Sequence, residues 1–401
     1  MVEHPFVGRC PACRGIVECQ YDDASLAAAL HRPGAGPGLN RWVGALPVTS
    51  ALPTLGEGDT PLLAAPRLGA ELGMSQLWLK NEGRSATGAF KDRGAVVALA
   101  LAREVGARGT LTASSGNAAS AVAAYSAAAG LDCLVLVGPG SAPNKLQQVL
   151  AYGAQILVVR DLFRTQEGLL GLLEGVSRRL DRLLVFFWAL SNPYTIEGMK
   201  TLAYELYLQT GGRLPDAVVV PTGGGDLYTG IWRGFCDLRR VGLIDRVPRM
   251  LAAQAQGAAP LARAVAAGAE RVAQLEDVGT VASGIRVAFT GDHALRALRE
   301  SGGAVVSVTD HEILSMQRRV AIRAGIWVEP TAAVSVAAIP HFLAQGALRP
   351  EERVICVLTG AGYKDVSPSA TAEVEALLAT APLPLDAAVV ADHALPASQR
   401  V

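Results

Sequence analysis

The sequence reads as an α/β protein with parallel or mixed sheets covered by helices and with a separate N-terminal arm. Three observations point there. Short β-rich runs at 76–80, 133–137, 155–159, 217–220 and 354–358 recur between Ala-, Leu- and Arg-rich helical stretches. Runs such as Val218-Val219-Val220 are apolar without alternation, the pattern of a strand covered on both faces. Several runs pass directly into glycine turns, and in such sheets ligands sit at the carboxyl ends of the strands.

In chain order, residues 1–50 have their own texture, with Cys10, Cys13 and Cys19 clustered and a Pro/Gly loop at 32–39; they are expected to form an arm packed on the main body. The run at 76–80 is the first strand of the body. Residues 86–94 then lead as a loop into a helix at 95–104. A short strand ends near Thr112 and opens, through Ser114-Ser115-Gly116-Asn117, into an Ala-rich helix at 119–129. The runs at 133–137 and 155–159 continue the alternation. The buried run 217–220 ends in Pro221, Thr222 and three glycines, and the run 354–358 ends at Thr359. Residues 381–401, rich in Pro and Ala, read as a fraying tail.

Length and composition narrow the function. At 401 residues the chain suits two or three domains of roughly 100 to 200 residues. Half of it is hydrophobic, 18% is charged and the mean hydropathy is +0.29, which excludes intrinsic disorder. Lys+Arg and Asp+Glu balance at 36 each without long runs of one sign, so neither nucleic acid nor an anionic membrane is an expected partner. Small neutral or zwitterionic ligands are. Six cysteines make no disulfide framework, and the first ten residues lack the basic and apolar regions of a signal peptide; the reducing cytoplasm is the expected compartment. The uncharged stretch 110–131 is built of Ala, Ser and Gly, not of the Leu, Ile, Phe and Val that a membrane span requires.

Three glycine-containing constellations carry candidate chemistry. The first surrounds Phe90 and Lys91: an ammonium beside an aromatic ring and at the positive end of a helix has a depressed pKa and can act as a nucleophilic amine. By itself it reads first as a surface lysine at a helix start. The second, Ser114, Ser115, Gly116, Asn117 and Ala118, offers hydroxyls and free N–H groups at a helix N-terminus, fit for a carboxylate or for an ordinary N-cap by Ser or Asn. The third, Gly223, Gly224, Gly225, Asp226 and Leu227, lets backbone amides converge on a phosphate. It fails as a dinucleotide fingerprint, because Tyr228 stands where a third glycine belongs, and the Gly83 to Gly88 spacing lacks the lysine of a nucleoside-triphosphate loop. Cys10-Pro-Ala-Cys13 with Cys19 could hold zinc only if His4 or another residue supplied a fourth ligand, and a closed structural site normally uses two such pairs, so no metal is expected. Cys133, Cys236 and Cys356 read as small core residues.

Together these segments resemble the fold-type II pyridoxal-phosphate enzymes, and within them the threonine synthase group. Leu55-Gly-Glu-Gly-Asp-Thr-Pro-Leu62 is similar to the family's opening segment, residues 87–94 to its Schiff-base lysine segment and 113–118 to its substrate-carboxylate loop. Residues 223–227 resemble the cofactor-phosphate loop, Gly325-Ile-Trp-Val-Glu-Pro-Thr331 the late Glu-Pro segment, and Leu358-Thr359-Gly360 the pyridine-side strand end. The likeness runs from about residue 50 to 370. Residues 10–22 resemble the second half of a cysteine ribbon whose first cysteine pair is missing here.

The resemblance implies pyridoxal 5'-phosphate as cofactor, with Lys91 as its Schiff-base lysine and proton shuttle and Phe90 packed nearby. Asn117 would bond the ring 3'-oxygen. Ser114, Ser115, Gly116, Asn117 and Ala118 would hold the substrate α-carboxylate, and Gly223, Gly224, Gly225, Asp226 and Leu227 would cradle the phosphate, chiefly through N–H groups. Thr359 would face the pyridine nitrogen, and a hydroxyl there, in place of an aspartate, favours elimination and replacement over transamination. The implied architecture is a large domain from 51–94 plus 206–380 with a small domain nested at 95–205, assembled as a homodimer. The implied reaction converts O-phospho-L-homoserine and water to L-threonine and phosphate. The departures lie at 189–199: the group carries Asn-Ser-Val-Asn-Pro-x-Arg-x-Glu-Gly-Gln, whereas this chain has Ala189-Leu190-Ser191-Asn192-Pro193-Tyr194-Thr195. The change from arginine to Thr195 is expected to weaken the grip on a substrate phosphate unless Arg160 or Arg164 compensates. Alternatives are β-elimination or β-replacement on O-phosphoserine, serine, threonine or a specialised amino acid, and, from another class, a nucleotide-binding Rossmann-like or non-catalytic protein.

Overall fold

The structure is a computed structural model and describes residues 8–141 and 143–365. The expected tail at 381–401 and the end of the large-domain segment, 366–380, lie outside the described residues, as does His4.

In chain order the elements are α1 (Asp23–His31), β1 (Leu62–Ala64), α2 (Pro66–Leu72), β2 (Gln76–Asn81), α3 (Lys91–Glu104), β3 (Gly109–Ala113), α4 (Asn117–Ala129), β4 (Asp132–Val137), α5 (Pro143–Ala151), β5 (Gln155–Val158), α6 (Gln166–Leu180) and β6 (Arg182–Leu184). There follow α7 (Tyr194–Gln209), β7 (Ala217–Pro221), α8 (Asp226–Arg240), β8 (Arg249–Ala255), α9 (Pro260–Ala266), α10 (Asp292–Glu300), β9 (Ala304–Val308), α11 (Asp310–Ala324), α12 (Pro330–Ala337), α13 (Ile339–Ala344) and β10 (Arg353–Leu358). The strands form a six-stranded sheet of order β1-β2-β10-β7-β8-β9 and a four-stranded sheet of order β5-β4-β3-β6. Only the β1–β2 pair is antiparallel; every other pairing is parallel. Both sheets are mixed or parallel and sandwiched by helices, as the apolar runs require. No described helix is long and apolar enough to cross a membrane.

Two helices begin earlier than the sequence suggests. Helix α3 starts at Lys91, not at residue 95, because the Asp92 carboxylate accepts bonds from the Thr87 amide and hydroxyl at 2.7 and 2.5 Å and so closes the first turn. Helix α4 starts at Asn117. Its N-cap is Gly116 with no side-chain cap bond; the Ser114 hydroxyl instead accepts from the Gly116 amide at 3.1 Å.

The arm packs through α1 and a 3-10 turn at Gly38–Ala45, with Trp42 tilted against Tyr204 at 5.3 Å between ring centroids. It also joins a buried polar cluster: Glu197 of α7 binds Lys200, Arg233 and the Tyr21 hydroxyl at 2.7, 2.8 and 2.6 Å. Cys133 and Cys356 are core residues as expected, whereas Cys236 is partly exposed.

A second buried cluster holds α3 in place. Arg93 grips Glu82 at 2.6 and 2.8 Å and Glu205 at 2.6 and 2.8 Å, while Lys80 donates to Glu205 at 2.8 Å and to the Thr60 carbonyl at 2.7 Å. Two cations face two carboxylates, so each desolvated charge is matched. Burial would push the Glu205 carboxyl up, but Arg93 and Lys80 together hold it down at about 2. The cluster ties the end of β2 and the middle of α7 to the turn of α3 that begins with Lys91.

Candidate active site

Lys91 occupies the first helical position of α3. Its Nζ lies 4.7 Å from the centroid of the Phe90 ring and 4.5 Å from that of Phe187. Burial lowers its pKa to about 8, against the opposing pull of Asp226 and Glu329, whose negative charges favour the ammonium. An appreciable fraction of the amine is therefore neutral near pH 7.5. The loop before it is pinned to the end of β10: the Phe90 amide donates to the Thr359 carbonyl at 3.0 Å and the Ala361 amide to the Gly88 carbonyl at 2.9 Å. Gly88 has φ +87 and a side chain there would meet the Tyr363 hydroxyl, so glycine is required for this approach.

Asn117 and Thr359 converge on one carboxylate that the sequence reading did not single out. Asn117 Nδ2 donates to Glu329 Oε2 at 2.9 Å and Thr359 Oγ1 donates to Glu329 Oε1 at 3.2 Å. Glu329 is buried, precedes Pro330 at the start of α12 and is one of the two carboxylates that act on Lys91. The signal was present: a carboxylate before a helix-starting proline in a quoted segment. Ser114, Ser115, Gly116, Asn117 and Ala118 are all half-buried at the mouth of α4, and the amides of Ser115, Asn117 and Ala118 have no acceptor among the described residues.

The loop after β7 is shaped like an anion cradle. Thr290 Oγ1 donates to the Gly223 carbonyl at 2.6 Å and the Gly291 amide to the Gly224 carbonyl at 2.9 Å. With its carbonyls tied back, the loop leaves the amides of Gly223, Gly224, Gly225, Asp226 and Leu227 without an acceptor among the described residues. Gly225 has φ +101, while a Cβ on Gly224 would meet nothing within 4 Å; that face is open. These orphaned amides at the N-terminus of α8 fit a phosphate. The Asp226 side chain turns away, accepting from the Ala189 amide at 3.2 Å and from His293 Nε2 at 3.0 Å.

Residues 53–360 match the family model described as "Pyridoxal-phosphate dependent enzyme". The chain belongs to that family. Among curated relatives it is 36% identical to the threonine synthase of Methanocaldococcus jannaschii over 361 residues, 88% of each chain. It is 35% identical to that of Methanosarcina acetivorans over 89% of this chain and 87% of the other. Among solved structures, a threonine deaminase from T.th. is 31% identical with a TM-score of 0.64, covering 77% of this chain and 94% of the other. Maize serine racemase is 26% identical with a TM-score of 0.68, covering 80% and 92%. Pyridoxal 5'-phosphate is thus the cofactor, and the chain is an enzyme, a lyase of the threonine synthase-like kind; the fold is that of fold-type II members of the family.

The 189–199 run differs from its expected role. Thr195 is wholly buried and its hydroxyl donates to the Asn192 carbonyl at 3.0 Å. Asn192 in turn donates to the Leu184 carbonyl at 2.8 Å and accepts from the Tyr194 amide at 3.0 Å. Asn192 and Thr195 thus spend their side chains on nearby backbone, while Glu197 belongs to the buried cluster with Lys200, Arg233 and Tyr21. Next to it Trp188 packs on Phe289 at 4.3 Å between centroids, and with Leu190, Pro193 and Tyr194 they line a cleft of about 1540 Å³ against the arm. Arg160 and Arg164 are exposed near the turn after β5. In the arm, the Cys10 amide donates to the Gly15 carbonyl and the Arg14 amide to the Cys10 carbonyl; no cluster of three or more metal-ligating side chains occurs among the described residues.

Proposed function

We propose that the chain is a carbon–oxygen lyase of the threonine synthase type, converting O-phospho-L-homoserine and water to L-threonine and phosphate, with Lys91 as cofactor lysine and proton carrier. The observation that carries this is the partly buried amine of Lys91, lowered to about 8, on which both Glu329 of the Asn117–Glu329–Thr359 bridge and Asp226 of the amide cradle act. Bound pyridoxal phosphate supplies an electron sink for negative charge at the substrate Cα. The protein's own groups do the rest. The free amides and hydroxyls of residues 114–118 receive the α-carboxylate, as a helix N-terminus favours. Asn117 would bond the ring 3'-oxygen, Thr359 would face the pyridine nitrogen, and the cradle would hold the phosphate. The neutral Lys91 amine would take the α-proton, pass it on and then take a β-proton; phosphate would leave Cγ, the two protons would return to Cγ and Cα, and water would add its hydroxyl at Cβ and give its proton to the released phosphate.

We read the four-stranded sheet with its helices as a nested small domain at about 95–205, within a large domain from 51–94 and 206–380. The expected homodimer and cytoplasmic location belong to the same reading; six cysteines without a disulfide support the latter.

A second reading has an observation of its own in favour. The three polar positions expected to hold a substrate phosphate are Ala189, Leu190 and Thr195, and the hydroxyl of Thr195 is used by its own backbone. β-Elimination or β-replacement on serine, threonine or O-phosphoserine needs one proton abstraction and one leaving group, and no distal phosphate contact.

Borohydride reduction of the cofactor-loaded protein followed by peptide mass analysis tests the shared chemistry. The pyridoxyl adduct is expected on Lys91, and Lys91→Ala should abolish both adduct and turnover. An adduct on Lys80, Lys145 or Lys200 would overturn the assignment.

A further inference from the structure

Asp226 is an unusual residue to find at an anion cradle. Its amide is one of the five without an acceptor, yet its side chain places a carboxylate at the same helix N-terminus, buried to 6% exposure. A phosphate entering there would meet a second negative charge in a poorly screened site, where like charges oppose one another. His293 of α10 is the histidine bonded to that carboxylate, at 3.0 Å through Nε2. A carboxylate only accepts, so Nε2 carries the proton of this bond. The other ring nitrogen, Nδ1, is buried and has no hydrogen-bond partner, which leaves a lone pair free to take a second proton.

We propose that His293 takes up a proton at Nδ1 when the cofactor phosphate enters the Gly223–Leu227 cradle, and that the resulting imidazolium offsets the Asp226 carboxylate. The proposal rests on the reading of that loop as the phosphate site. The charged groups around His293 leave it this role. From α8 it meets Asp226. From the arm it meets Glu18, which is paired to Arg296 of α10 and lies beside Arg233 of α8. On its own helix Asp292 is paired to Arg271 at 3.0 Å, and Lys91 lies beyond Asp226. The neighbouring carboxylates Glu18 and Asp292 carry their own compensation; Asp226 shares the Lys91 amine with Glu329, and a proton on His293 would give it a counter-charge in direct hydrogen-bond contact. Because Asp226 also accepts from the Ala189 amide, the same pair links the cradle to the loop that precedes α7.

Pyridoxine 5'-phosphate is the probe, since it lacks the aldehyde and cannot react with Lys91. Its binding to the apoprotein, followed by calorimetry in buffers of different ionisation enthalpy, counts protons directly. With the ligand's own second ionisation at about 6 subtracted, the wild-type protein should take up part of a proton per ligand at pH 7.5. Its affinity should fall about tenfold between pH 6.5 and 8.5, within the limit of tenfold per pH unit for one linked proton. His293→Gln keeps a donor for Asp226 but no basic nitrogen; it should show no extra uptake, a flat profile, and about tenfold weaker binding at pH 6.5. Asp226→Asn, which asks the same question of the other partner, should be flat and tight at both ends. Wild-type proton uptake and slope in His293→Gln would overturn the proposal. Undiminished binding to a folded Gly224→Val protein would overturn the cradle itself, and the proposal with it, whatever the slope.

Discussion

The two ends of α7 serve the same site in opposite ways. Towards its C-terminal half, Thr201 and Glu205 meet Arg93 at 3.0 and 2.6 Å inside a fully buried cluster of matched charges. That cluster fixes the turn of α3 from which Lys91 projects. At its N-terminal end, Asn192 and Thr195 spend their polar atoms on local backbone, and the preceding loop turns Phe187 onto Lys91 and Trp188 onto Phe289. One end of the helix keeps Lys91, the proposed cofactor lysine, in register. The other, which resemblance would make a phosphate grip, presents aromatic and apolar side chains in the loop before it and commits its polar groups to the backbone and to the Glu197 cluster. On the proposed reading, the catalytic group and the recognition of the substrate side chain would be separable parts of this fold.

Arg93→Leu strikes hardest at the ionic end. It strands the Glu82 and Glu205 carboxylates without a guanidinium and should cost about 3 to 5 kcal/mol of stability, read as a lower denaturation midpoint. Thr195→Val at the other end removes one ordinary hydrogen bond and should cost about 1 kcal/mol. Equal losses would remove the distinction. The ionic end also has a pH signature. Glu205 is held at about 2, below the ordinary value of about 4.3, so its contribution is present above that ordinary value and is lost as pH falls towards about 2. Acid unfolding should be less steep in Glu205→Gln, measured relative to its own neutral-pH stability.

Gly224→Val should leave secondary structure intact, because its Cβ would meet nothing within 4 Å, while weakening pyridoxal phosphate by roughly tenfold or more through obstruction of the amides. A folded variant with unchanged affinity would show that this loop holds something else. A finer effect is expected at Glu329. Its charge favours the Lys91 ammonium, so Glu329→Gln should move the amine's midpoint below about 8, by about one pH unit. Reductive methylation of Lys91 in the apoprotein, followed against pH by mass analysis, reads this shift; an upward shift would contradict it.

Much of this molecule could be read from its residues alone, for identifiable reasons. The runs at 217–220 and 354–358 are β-branched and bounded by glycine, so pattern and tertiary position agree. Strand β8 was missed because Met250-Leu251-Ala252-Ala253-Gln254-Ala255 has little β propensity and is made a strand by pairing on both sides, with β7 and β9. Lys91, Asn117, Thr359 and the glycine loop could be singled out as candidates because each follows a strand end or opens a helix. Glu329 was not, since its role arises from a contact with residues 212 and 30 positions away. Thr195 was read, from its place in a motif, as the loss of an arginine; what its own hydroxyl does was not read, although a hydroxyl in the first turn of a helix can bond the carbonyl three residues back, and here it does.

The separation of a working Lys91 site from a weakened phosphate grip is decided by steady-state kinetics on O-phospho-L-homoserine, with threonine and phosphate release measured separately and serine, threonine and O-phosphoserine as competitors. An intact Lys91 site beside an apolar recognition loop should still form threonine. Lacking one or more charge-assisted contacts, each worth roughly 1.5 to 3 kcal/mol, it should do so with KM raised to about 1 mM or above and a specificity constant below about 10⁴ M⁻¹s⁻¹. A micromolar KM with a specificity constant above about 10⁴ M⁻¹s⁻¹ and inert competitors would refute that separation, since the phosphate would then be gripped as firmly as by the motif this chain has lost.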